Sequence, residues 1–171
     1  DGSLDANAFQ HLPYLKAQIK QHGFQFVAVG KTFLYPMAIY SKKITSLSQL
    51  KSRDKVAIPN DPSNEARALL LLQNAKLIRL RRGAGTNATP IDIVNNPKQL
   101  QFIALDAAEL PRTLRDVVIA VINTNYAVPA GLSPAKDALF EEKSSSPYTN
   151  LIVVREKDKN LKKIKEFVAA F

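Results

Sequence analysis

The residues best suited to holding a small charged ligand lie in one stretch, Pro59-Asn60-Asp61-Pro62-Ser63-Asn64-Glu65-Ala66-Arg67. The apolar run 55–59 reads as a strand closed by its proline, and turn and cap chemistry then leads into a helix expected over 64–74. The unpaired backbone N–H groups of a first helical turn, set beside the planar fork of Arg67, suit a carboxylate or a phosphate. Asn64 adds an amide to the same cap. A cation in the first turn opposes the helix dipole, so Arg67 has a plainer role open to it, a scaffold ion pair with Glu65, Asp61 or another acid. Residue chemistry leaves both roles standing. A second group, Asn123-Thr124-Asn125-Tyr126, follows a buried strand expected at 117–122. Amides at the carboxyl end of a strand sit where α/β proteins bind ligands, although Asn also favours turns. Phe9 and His11 fall at the start of what reads as the first helix, where His11 taken alone is a packing or capping residue before it is a ligand contact.

Other chemistries find little support. There are two histidines, His11 and His22, no His-x-x-x-His or His-Glu-x-x-His pair, and no cysteine. No metal site, thiolate or disulfide is therefore expected. Gly83-Ala84-Gly85 lacks the Lys-Ser/Thr of a phosphate loop, and no dinucleotide fingerprint occurs. The expectation is a protein without catalytic residues or cofactor, and not an enzyme. The chain of 171 residues has 24 Lys and Arg against 15 Asp and Glu, a formal charge of +9, which raises a nucleic-acid reading. Its main support is Arg79-Leu80-Arg81-Arg82, whose bland reading is a solvated helix end. The other cations are scattered and no aromatic-interleaved basic strand occurs, so nucleic acid is not expected as a partner.

The elements that must position these groups alternate between strand and helix. A helix capped by Asp5 or Asn7 and carrying Phe9, Leu12, Leu15 and Ile19 is expected to end at Gly23. Strands are expected at 24–29, 37–40, 55–59, 101–105, 117–122 and 151–154. Helices are expected around 46–50, over 64–74, from Thr89-Pro90 onward, within 106–114, and over 161–171 with Lys on its outer face. This alternation indicates an α/β class. No apolar run approaches the roughly 20 residues of a membrane helix.

Six blocks of the chain resemble the methionine-binding lipoproteins of the NlpA family, the substrate-binding components of methionine ABC importers. They run Asp1 to His11, Val29 to Lys43, Ile58 to Leu72, Leu105 to Arg112, Ala120 to Ala127, and Ser146 to Tyr148 with Leu151 to Arg155, in family order and over essentially the whole chain. The resemblance implies a periplasmic-binding-protein-like fold of type II. Its two α/β lobes, 1–41 with 127–171 and 42–126, would be joined by a two-crossover hinge near 38–41 and 123–127, with the ligand bound between them. It implies that Arg67 binds the carboxylate of methionine, in its L- and D- forms, and that Asn123 hydrogen-bonds the α-amino or carboxylate group. Asn64 and Asn125 would complete the ligand-binding set, with Asn125 close to Asn123, and Phe9 and His11 would line the side-chain pocket. Another small amino acid or a methionine-containing dipeptide is the alternative ligand. A nucleic-acid-binding domain, or an enzyme using the same cleft, is the alternative of another class. The implied partners are the permease and ATPase of an ABC importer at the periplasmic or extracytoplasmic face of a bacterial membrane. Against that family the chain reads as lacking the N-terminal part of lobe one with its lipid-anchoring cysteine. The expectation is an exposed sheet edge there and weakened methionine binding. Ala104, Val118, Ile119 and the 81–85 loop also depart from the family pattern.

Overall fold

The computed structural model describes residues 3–143 and 148–171. Asp1, Gly2, Ser146 and Pro147 of the resembling blocks lie outside the described residues. In chain order the elements are strand β1 (Ala6–His11), helix α1 (Leu12–His22), β2 (Phe26–Leu34), β3 (Met37–Tyr40), β4 (Lys55–Pro59), α2 (Pro62–Asn74), β5 (Arg79–Leu80), β6 (Ile93–Asn95), β7 (Gln101–Leu105), α3 (Leu110–Thr113), β8 (Ile119–Asn123), α4 (Thr124–Ala127), α5 (Pro134–Asp137), β9 (Ala138–Glu141), β10 (Thr149–Arg155) and α6 (Lys162–Ala170). The class is mixed α/β, as expected.

The chain forms two compact units, Asp1–Tyr35 with Ser145–Phe171, and Pro36–Ser144. These divisions differ from the expected lobe limits at 41/42 and 126/127. The reason is pairing: β3 hydrogen-bonds to β8 on one side and β9 on the other. Residues 36–41 and 127–144 therefore fold with 42–126, and the segments expected as hinge, 38–41 and 123–127, lie within the second unit.

The second unit is built on a five-stranded sheet ordered β7-β4-β8-β3-β9. β4 runs parallel to β7 and β8, and β3 runs antiparallel to β8 and β9. Strand side chains alternate between faces, and here both faces are covered. Met37, Ile39, Val56, Ile58, Ile119 and Val121 join Leu69 and Leu72 of α2 in one core. Ala38, Tyr40, Ala57, Ala120 and Ile122 join Leu110 and Leu114 in another. Burial on both faces explains why these strands read as continuous apolar runs.

The first unit is a three-stranded antiparallel sheet ordered β1-β10-β2. Leu15 of α1 packs on Leu151 and Val153 of β10. A Cβ built at Gly30 in β2 would stand 3.2 Å from Ile152 Cδ1 and from Val168 Cγ1 of α6, so glycine here permits close packing and the strand runs on through it. The strand expected at 24–29 is thus corrected to Phe26–Leu34. The opening helix is corrected as well: 6–11 is a strand, and α1 begins at Leu12. Pro13 stands in its first turn, and the His11 side chain, rather than Asp5 or Asn7, is the N-cap. Gly23 ends the helix in the left-handed conformation, φ 68°, as expected. Thr89-Pro90 opens only one 3₁₀ turn, Pro90–Asp92, before β6. Arg79 lies on β5 rather than at a helix end.

Candidate ligand-binding site

Asp61 caps α2. Its carboxylate accepts from the Asn64 backbone N–H at 3.1 Å and from the Ser63 hydroxyl at 2.9 Å, and Pro62 occupies the first turn. The helix starts where β4 ends, and the parallel pairing of β4 with β7 and β8 brings three carboxyl ends to one edge of the sheet. Antiparallel β3 and β9 deliver Met37 and Glu142 to that edge, since Met37 lies opposite Asn123 and Glu142 follows the last residue of β9. Strand carboxyl ends are where open α/β sheets place ligands.

Two polar pairs stand there. The first is Arg67 with Glu142. Arg67 Nε donates to Glu142 Oε1 at 3.1 Å and Nη2 to Oε2 at 2.5 Å, with the side chains only 3% and 12% exposed. Glu142 is itself held from two sides, its Oε2 accepting from the Met37 N–H at 3.2 Å and its own N–H donating to the Met37 carbonyl at 2.9 Å. Among the described residues the acid paired with Arg67 is Glu142. A buried pair of this kind contributes little net stability, but removing one member strands the other charge. The second pair is Asn123 with Asn64. Asn123 Nδ2 donates to Asn64 Oδ1 at 2.9 Å, and Asn64 Nδ2 donates to both carboxylate oxygens of Asp61 at 3.0 Å. Asn123 Oδ1 is buried and has no hydrogen-bond partner, a state that costs roughly 1–3 kcal/mol for a neutral polar group. Nearby, burial first and the Asp61 charge second push the Glu65 carboxyl above its usual range.

The remaining expected residues are placed as follows. Asn125 is exposed on α4, whose start is fixed by the Thr124 hydroxyl donating to the Pro36 carbonyl. Phe9 and His11 belong to the first unit, on β1. The His11 Nδ1 accepts from the Tyr14 N–H at 3.2 Å, and its ring meets that of Tyr148 edge-on with centroids 4.9 Å apart. His11 thus caps α1 through its ring nitrogen. Phe9 is 64% exposed and lies edge-on to Tyr14. Glu142 was missed from sequence. Its only local signal is the Glu141-Glu142 pair after Ala138-Leu139-Phe140, which does not point 75 residues back to Arg67. Among the described residues no cluster of His, Asp or Glu could hold a metal ion. No described helix is long and apolar enough to cross a membrane.

A family model described as NlpA lipoprotein matches residues 1–171. A curated relative named D-methionine-binding lipoprotein MetQ, from Salmonella typhimurium, is 55% identical over 99% of this chain, and its counterpart in Escherichia coli K12 is 54% identical. The chain spans 64% of the length of each. Among solved structures, an ABC transporter periplasmic substrate-binding protein from Coxiella burnetii is 61% identical with a TM-score of 0.96, covering 99% of this chain and 72% of that one. A nutrient-binding protein from Burkholderia cenocepacia, bound to methionine, is 56% identical with a TM-score of 0.95, covering 98% and 70%. The fold is that of the periplasmic substrate-binding proteins.

Proposed function

The chain belongs to the NlpA lipoprotein family, and from that premise we propose that it takes part in capturing methionine and delivering it to an ABC importer at the extracytoplasmic face of a membrane. The observation that carries this reading is methionine in a neighbour 56% identical to the chain and alike in fold. The second unit supports it with a buried cation and an unpartnered amide oxygen at one edge of the sheet. A zwitterion needs a fixed cation for its carboxylate and an acceptor for its ammonium, while a thioether needs a polarisable apolar wall.

In this reading Arg67 takes the ligand carboxylate, and Asn123 bonds the amino acid's polar end with Asn125 close by. Asn64 holds Asn123 in place, and Phe9 and His11 contact the ligand side chain. The two units serve as the two lobes of the binding protein. The work is binding, with no bond made or broken, and the named relatives are likewise binding proteins.

Calorimetry with L- and D-methionine tests the proposal, supported by mass spectrometry of ligand released on denaturation. Arg67→Ala is expected to weaken methionine binding by about 2–5 kcal/mol, the usual effect of truncating one member of a buried charge-paired contact. Arg67→Lys, which keeps the charge but loses the planar fork, is expected to recover only part of it. Retention of affinity by folded Arg67→Ala refutes the assigned role.

A further inference from the structure

The Asn123 amide is oriented from a distance. Carboxylate oxygens only accept. Asn64 must therefore turn its NH₂ toward Asp61, and both Asp61 oxygens receive it at 3.0 Å. That leaves the Asn64 carbonyl oxygen toward Asn123, where it accepts from Nδ2 at 2.9 Å. The amide of Asn123 is thereby committed, and Oδ1 is the atom left over. Asn123 is 9% exposed, and this oxygen is buried with no hydrogen-bond partner. What the site lacks at this point is a donor.

The cation is fixed by a separate route. Asn64 and Arg67 are spaced i, i+3 on α2, one above the other on the same helix face. Asn123 lies opposite Met37 across the β8–β3 pairing. The N–H of Met37 donates to the carboxylate that grips Arg67. The acceptor and the guanidinium are therefore both referred to one residue of the central sheet, and the polarity of each is set by an acid that cannot donate.

We propose that Asp61, acting through Asn64, is a positioning residue that fixes Asn123 as a hydrogen-bond acceptor, and so selects ligands carrying a protonated amine beside the carboxylate. This inference rests on the amino-acid-binding reading above and extends it to a residue outside the ligand contacts. A carboxylate ligand without the amine satisfies Arg67 but leaves Asn123 Oδ1 unpartnered, and is discriminated against on that account.

The test is calorimetry on the purified protein with two probes, methionine and its deaminated analogue 4-methylthiobutanoate, for wild type and Asp61→Asn. Asn caps helices as well as Asp, so the helix start survives. Its amide offers either end to Asn64, which releases the constraint on Asn123. Methionine affinity is expected to fall about tenfold, roughly 1.4 kcal/mol, with the affinity for the analogue unchanged, so that the ratio of the two collapses. If Asp61→Asn does not fold, Asp61→Ser, whose hydroxyl also caps but both donates and accepts, is expected to give the same collapse. Equal losses for both probes, or an unchanged ratio, overturn the inference and leave the binding reading intact. A wild-type protein that binds methionine no better than the analogue also overturns the inference alone. A wild-type protein that binds neither overturns the reading itself.

Discussion

Glu142 and Arg67 illustrate how a buried charge is tolerated only as part of a pair. The fork of Arg67 takes both carboxylate oxygens, and the Met37 N–H supplies a further bond to one of them. Glu142→Gln keeps an oxygen for Met37 but removes the negative charge, leaving the guanidinium buried and uncompensated. The expected cost is about 3–5 kcal/mol, read as a lower urea midpoint; a loss below about 1 kcal/mol would show that the pair is dispensable to the fold. Arg67 is legible in the sequence as a cation near the start of the helix expected at 64–74, although α2 begins at Pro62 and puts Arg67 in its second turn, and Asn123 is legible as an amide at the carboxyl end of an expected strand. Their partners are not, since these contacts close loops of 75 and 59 residues and local spacing carries no trace of them.

At the level of elements, the strands buried on both faces and the long helix α2 were legible because their side-chain periods are unmixed. Three places misled. Phe9, Leu12, Leu15 and Ile19 have helical spacing, yet 6–11 is a strand, because Pro13 and the His11 cap set the helix start. β9 was not foreseen, being four residues paired to an edge of the sheet. Thr89-Pro90 carries the chemistry of a helix start but serves a single turn, which Asp92 closes by accepting from the Thr89 N–H at 2.9 Å and hydroxyl at 3.0 Å. Those two bonds, joined by the Arg81 guanidinium, hold the Asp92 carboxyl below its ordinary value of 3.8. A carboxyl lowered in the folded state contributes stability that is full above its unfolded value and is lost as pH falls through the folded one. Asp92→Asn is therefore expected to destabilise the protein at neutral pH. The gap in urea midpoint between the two proteins should close as pH drops below about 4. A gap that persists in acid would assign the loss to geometry instead of charge.

For the whole molecule, the charge of +9 is spread over strands and ion pairs. Arg79 lies on a strand and Arg81 pairs with Asp92, while Lys163 reaches Asp5 at 2.7 Å. The second unit is one uninterrupted stretch, Pro36–Ser144, with apolar cores on both faces of its sheet. A 36–144 fragment is accordingly expected to unfold cooperatively by itself, as followed by circular dichroism in urea; a non-cooperative transition would show that its cores are not self-sufficient. The first unit differs, because β10, the middle strand of its sheet, comes from 149–155 whereas its neighbours β1 and β2 come from within the first 34 residues. Among the described residues β1 and β2 pair only through β10, more than a hundred residues later in the chain, whereas the second unit draws all its strands from one stretch. The described sheet of the first unit is therefore the later of the two to be completed as the chain is made.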